Sequence, residues 1–247
     1  MTESRIVLVT GASRGIGQAA ALACARAGMQ VVATARSQAA LEKLDDDVRA
    51  AGGLPVTIVP LDLTDFDGID RLGGALYERF GRLDALVHAA AHLGDLMPLS
   101  HMTPRLGERL IATNVTATWR IIRAMEPLLL QSAAARTLFF TSGVVAKPRA
   151  FWGLYAATKA ANEAMVQCWA DEIAFKQVVA TILNPGPVAT GMRKNAFPGE
   201  DQTTLPPPAA LSSMILSLLD PSHTNSGTTI HFRDTSHFAA WQATRGQ

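Results

Sequence analysis

Short apolar runs alternate with longer amphipathic stretches along most of this chain. The run at residues 6–10 is followed by helical spacing at 15–27, that at 30–35 by 38–51, and that at 56–60 by 66–80. A run that is apolar throughout, rather than at every second position, suits a strand buried on both faces, and the helical stretches between runs supply the cover. The pattern predicts βαβ units and a parallel sheet. It continues with a strand at 85–88, a long helix at about 104–130, a strand at 137–141, a second long helix at about 152–175 and a strand at 178–183.

After Pro185 the alternation breaks. Residues 190–208 are rich in polar residues, Gly and Pro, which predicts an irregular excursion, a substrate lid at the carboxyl edge of the sheet. A helix near 209–219 and a short strand around 228–232 are expected to finish the fold. The expected architecture is one α/β domain over residues 1–247. It is a doubly wound Rossmann fold, with a parallel sheet of about seven strands and helices on both faces.

Composition narrows the partners. The chain has 247 residues, 48% of them hydrophobic, enough for a large core. Its 22 basic and 21 acidic side chains leave a net charge of +1, with no basic run to gather nucleic acid or anionic lipid. No stretch approaches the roughly 18 apolar residues of a membrane span, and no basic leader precedes an apolar segment, so a cytoplasmic location is expected. Cys24 and Cys168 both fall in apolar helical stretches, where thiols are expected as small buried hydrophobes in a reducing compartment.

The first chemical signal is Thr10-Gly11-Ala12-Ser13-Arg14-Gly15-Ile16-Gly17, directly after the first strand and opening a helix. Glycines there let the backbone approach a pyrophosphate, whose charge is stabilised by free amides and the helix dipole. No Lys-Ser/Thr pair follows, so this is not a phosphate-transfer loop. Alone, the turn also fits a tight strand-to-helix connection or a methyltransferase. At the end of the second strand, where an acid would bind a ribose 2′-hydroxyl, stand Ala35 and Arg36. Arg36 and Arg14 offer planar donors to a 2′-phosphate, which favours NADP(H) over NAD(H); the competing view makes both arginines solvated surface residues.

The second signal is Tyr155-Ala156-Ala157-Thr158-Lys159, with Ser142 upstream at the end of the fifth strand. Residues four apart share a helix face, and an ammonium beside a phenol favours phenolate, bringing a poor acid-base group toward its working range. By itself the spacing equally fits an ordinary amphipathic helix.

Taken together, these motifs resemble the classical short-chain dehydrogenase/reductase family over essentially the whole length. The resemblance implies that Tyr155 is the acid/base, that Lys159 lowers its pKa and binds the nicotinamide ribose, and that Ser142 orients the substrate carbonyl. It implies that Asn114 holds a water in a proton relay. It also implies that Asp62, with Leu63, contacts adenine, and that Ala90 completes the cofactor bed with Gly11, Ser13, Arg14, Gly15, Ile16, Gly17 and Arg36. The stretch Asn184-Pro185-Gly186-Pro187-Val188-Ala189-Thr190 looks like the loop receiving the carboxamide, through Pro185, Gly186, Val188 and Thr190. The implied reaction is reversible hydride transfer between NADP(H) and a small-molecule carbonyl or alcohol substrate; a non-catalytic NADP(H)-sensing protein is the alternative.

Some positions depart from the family pattern. His88-Ala89-Ala90-Ala91 replaces Asn-Asn-Ala-Gly, and the Asp-Gly-Gly expected near the end is absent from Ile230-His231-Phe232-Arg233-Asp234. Residues 197–201, with His88 and Trp152-Gly153, are similar to bacterial YciK-like members. His88 and His92 have the spacing of a helical metal pair, but no third ligand is evident, so no metal is expected. Phe151, Trp152, Val144, Leu93 and Met192 are candidates for an apolar pocket wall. The long helices resemble those through which family members form homodimers and homotetramers.

Overall fold

The computed structural model describes residues 4–244, so the ends of the expected domain, 1–3 and 245–247, lie outside the described residues. Seven strands form one sheet: β1 (Ile6–Thr10), β2 (Gln30–Ala35), β3 (Thr57–Pro60), β4 (Ala85–His88), β5 (Ala135–Phe140), β6 (Val178–Asn184) and β7 (Thr229–His231). Their order is β3-β2-β1-β4-β5-β6-β7 and every pairing is parallel. The chain winds outward from β1 in one direction and then from β4 in the other, which opens a crevice at the carboxyl ends of these two strands. There Thr10 stands in register with Thr34 on one side and with His88 on the other.

Helices α1 (Gly15–Arg26) and α2 (Gln38–Ala50) cover one face together with α8 (Ser212–Leu219). Helices α3 (Phe66–Phe80), α5 (Ala117–Leu129) and α6 (Gly153–Glu172) cover the other. The continuous apolar runs are thus explained: alternate residues of β1 feed opposite cores, Val7 and Val9 into the first, Ile6 and Leu8 into the second. Each such fully buried aliphatic side chain contributes about 1.5–3 kcal/mol. A third, smaller cluster of Leu93, Leu110, Val144, Tyr155 and Ala156 lies apart from both.

The expected fold is present, with four local corrections. The stretch expected as one helix at 104–130 is α4 (Pro104–Ile111), a π-turn at Ala112–Thr116, and then α5. The extra residue in that turn does not disturb the apolar spacing on either side, so periodicity runs straight through it. The irregular excursion contains a real helix, α7 (Gly191–Ala196), started by Thr190, whose Oγ1 accepts from the Arg193 amide at 3.1 Å. A further helix, α9 (Ser236–Ala243), follows β7. Cys168 is exposed, whereas Cys24 is buried with its thiol pushed up to about 12 by burial. The Cys168 side of α6 faces solvent rather than sheet.

Candidate active site

The crevice is a cleft of 720 Å³ bounded by the glycine turn, the ends of β2 and β3, α4, and the start of α7. Its first wall is the turn itself. Gly11 adopts φ +67°, and a Cβ there would lie 2.8 Å from the Ala90 backbone, so the β1 and β4 ends can close only over glycine. The start of α1 has no side-chain cap at Arg14 and no acid in its first turn, leaving its amide groups and positive dipole end facing the cleft. An extended, anionic dinucleotide fits these free donors.

Around the far end, Arg14 and Arg36 are exposed and line the cleft with Ser37. Asp62 lines it too, beside Leu63. Burial opposes ionisation of the Asp62 carboxyl, but hydrogen bonds from the Thr64 amide and hydroxyl (3.0 and 2.9 Å), with the Arg36 and Arg109 charges, hold it below the usual range. Arg109, Thr113 and His92 line the cleft as well. In the sequence Arg109 is visible only as a cation one helical turn ahead of the Asn114 motif. Burial, then Arg109 and Arg36, push His92 down, with Asp95 opposing.

At the near end, Tyr155 is only 7% exposed. It sits edge-on to Trp152 with ring centres 5.9 Å apart, and its phenol is hydrogen-bonded to Ser142. Burial pushes the phenol up to about 12, with the Ser142 bond pulling back. Lys159 is 5% exposed, donates to the Phe140 carbonyl at 2.9 Å, and is pushed down to about 8 by burial. The expected lowering of the phenol by this ammonium is therefore not met here: Lys159 gives up its proton before Tyr155 would, and desolvation governs both groups.

Of the residues the sequence singled out, Gly11, Ser13, Arg14, Gly15, Ile16, Gly17, Arg36, Asp62, Leu63, Ala90, Tyr155, Lys159, Pro185 and Thr190 all line the cleft. Four do not. Ser142, two residues past β5, is not part of the cleft lining, although it acts on the Tyr155 phenol. Val188 is buried in the first core, and Gly186, at φ +66°, packs near the Arg233 side chain. Asn114 is buried behind the cleft: its Oδ1 accepts from the His92 amide, and its Nδ2 donates to the His92 carbonyl and to Thr158 Oγ1, at 2.8, 2.8 and 3.0 Å.

The apolar wall also needs correction. Leu93 and Val144 are buried beside Tyr155, with Trp152 and Met192 packed on them, but Phe151 is 56% exposed at an unusual φ of +73°. Phe197 takes its place, 5.6 Å from Trp152. His88 is buried between two threonines, and no group of three metal-ligating side chains occurs among the described residues.

A family-wide sequence pattern, short chain dehydrogenase, matches residues 5–201. The chain belongs to this family. It is similar to the uncharacterized oxidoreductase YciK of Escherichia coli (strain K12), 36% identical over 232 residues, spanning 93% of this chain and 92% of that protein. Two solved structures are similar throughout. The short chain dehydrogenase of Escherichia coli CFT073 complexed with NADPH has a TM-score of 0.87 and 37% identity, covering 92% of this chain and 95% of that one. The one from Shigella flexneri 2a str. 301 complexed with NADP has a TM-score of 0.88 and 36% identity, covering 92% and 96%. This short chain dehydrogenase accordingly falls with the YciK-like subgroup of the family.

Proposed function

We propose that this chain is an NADP(H)-dependent oxidoreductase acting on a carbonyl/alcohol pair. The observation that carries the proposal is the placement of a buried phenol, bonded to Ser142 and one helical turn from Lys159, at the end of a cleft whose other end is lined by Arg14 and Arg36. The relatives complexed with NADP and NADPH support the choice of cofactor. When bound, the nicotinamide nucleotide supplies or takes up the hydride.

The protein's own groups handle the proton and the oxygen. Ser142 Oγ and the Tyr155 hydroxyl converge to hold a carbonyl oxygen, and Tyr155, protonated at neutral pH, gives its proton to the developing alkoxide. In the oxidising direction it must take a proton back, which is harder at a group held near 12. Lys159, anchored on Phe140, provides a donor beneath the site. The buried cluster of Leu93, Leu110 and Val144, with Trp152 and Met192, excludes water and favours an apolar substrate.

An NADPH-oxidation screen over a panel of aldehydes and ketones, with Tyr155→Phe as control, tests this. Turnover that survives Tyr155→Phe, or binding of NADPH with no turnover on any carbonyl, would point instead to a protein that senses the nucleotide. We further propose a cytoplasmic homodimer or homotetramer. Leu106, Ile111 and Trp119 are exposed along α4 and α5, apolar surface suited to a second copy. No helix among the described residues is long and apolar enough to cross a membrane.

A further inference from the structure

We infer that His88 is a positioning residue: fixed as the neutral Nε2–H imidazole, it ties the strand end that carries the glycine turn to the π-turn that carries Asn114. What it positions is the site of the function proposed above. The hydrogen bonding itself assigns the tautomer. Thr118 Oγ1 donates its single hydrogen to the Asn114 carbonyl at 2.6 Å, so toward His88 Nε2, 3.0 Å away, it can only accept. Nε2 therefore carries the proton, and Nδ1 accepts from Thr10 Oγ1 at 2.9 Å. Thr10 Oγ1 in turn accepts from the Ala90 amide at 3.3 Å.

Each hydrogen is used once, in one direction, from the Ala90 amide to the Asn114 carbonyl. An Nδ1–H tautomer would leave Nε2 facing a hydroxyl whose hydrogen is already committed. An imidazolium would strand the Thr10 hydrogen and place a second charge near Lys159 in a region where His88 is 5% exposed. Both ends of this chain reach the candidate site. Ala90 lines the cleft and lies against Gly11, while Asn114 clamps the His92 backbone and bonds Thr158, whose hydroxyl donates to the Tyr155 carbonyl at 2.8 Å. A change at the glycine turn is thereby felt at the helix that bears Tyr155. In this chain a histidine bridges two elements where the family pattern has asparagine.

The test is NMR on histidine-labelled protein, with the His88 signal assigned by its loss in His88→Asn. The expected spectrum is neutral imidazole protonated on Nε2 throughout about pH 5 to 8, the range in which an unconstrained histidine titrates. An Nδ1–H tautomer or a titrating ring overturns the inference, and this arm needs no variant beyond the assignment. Amide exchange is the second arm. In Thr118→Val the His92 amide, which ends on Asn114, should exchange about tenfold faster, as for the loss of one buried hydrogen bond, and Thr118→Ser should restore it. A folded Thr118→Val with unchanged exchange overturns the inference. Added NADPH should slow His92 exchange more in the parent than in Thr118→Val, and equal slowing counts against the coupling. Should NADPH not bind the parent at all, the cofactor proposal fails while the first two arms still decide the role of His88.

Discussion

Lys159 Nζ donates to the carbonyl of Phe140, 2.9 Å away at the end of β5, so the position of the ammonium is set by the sheet rather than by the phenol four residues earlier. Burial holds it near 8 against an ordinary 10.5. Between these values the unfolded chain binds a proton that the native state does not, so native stability rises as pH climbs from about 8 toward 10.5, and below 8 the full cost of burying the charge is present. Lys159→Met should remove that pH dependence and hold or raise the thermal midpoint at neutral pH. It should also cost about 10²–10⁴-fold in NADPH-linked turnover. Melting curves across pH, run beside a turnover assay, separate the two effects.

Ser142 acts on the same phenol from the other side. Its hydrogen bond is the one influence lowering Tyr155, so Ser142→Ala should move the rising limb of an alcohol-oxidation pH profile to higher pH. It should also reduce kcat/KM by about tenfold or more, as expected for losing one donor at a developing oxyanion. An unmoved limb would mean that Ser142 does not set the Tyr155 acidity.

Much of this was legible in the chain, for physical reasons that differ by residue. Continuous apolar runs can be satisfied only by burial on both faces, which is why the parallel sheet could be read from residues 6–10 onward. The glycine turn was legible because the Gly11 conformation and its approach to Ala90 admit no side chain. The π-turn at Asn114 was hidden because Leu110 and Ile121 keep helical spacing on either side of it. Helix α7 was hidden because its start depends on the Thr190 cap rather than on any apolar stripe. Helix α9 follows β7 without a stripe of its own, though the Thr235 cap marked its start. Exposure of Cys168 and Phe151 depends on which way a side chain faces after packing, which composition does not determine. The acidity of Tyr155 was misjudged because spacing gives a neighbour's charge but not the depth of burial.

At the other end of the cleft, Arg36 and Arg109 both lower Asp62 and His92. Arg36→Ala should weaken NADPH by about tenfold and NADH far less, because only the former has a phosphate for the guanidinium to grip. Arg109→Ala should weaken NADPH and reduce the dependence of binding on salt. Fluorescence titration of both nucleotides at two ionic strengths measures this; equal losses for NADPH and NADH in Arg36→Ala would remove the assigned preference.

His88 gives a stability signature in acid. Burial first, then the Lys159 charge, hold it near 3 against an ordinary 6.5. Between these values the unfolded chain takes up a proton that the native ring refuses, so stability falls as pH drops through that window, by about 1.4 kcal/mol per unit from this group alone. His88→Asn, which keeps an acceptor for Thr10, should flatten the decline in urea unfolding at about pH 4 to 6 while lowering stability at neutral pH.

The segment expected to form a lid is held by a stack rather than by a hydrophobic plug. Trp152 meets Tyr155 on one side and Phe197 on the other, the Arg193 guanidinium lies 3.7 Å over the Phe197 ring, and Glu200 grips Arg193 through two oxygens. A cation held over a ring and paired with a carboxylate at the same time is strongly oriented. Glu200→Gln keeps the shape but halves that grip. It should raise KM for a bulky apolar carbonyl on the order of tenfold with kcat little changed, and speed proteolytic cutting within residues 191–205. Phe197→Ala should do more, because it removes the surface on which both Trp152 and Arg193 rest. If Glu200→Gln alters neither KM nor cutting, the ion pair is only a surface contact and the segment is held by Trp152 and Phe197 alone.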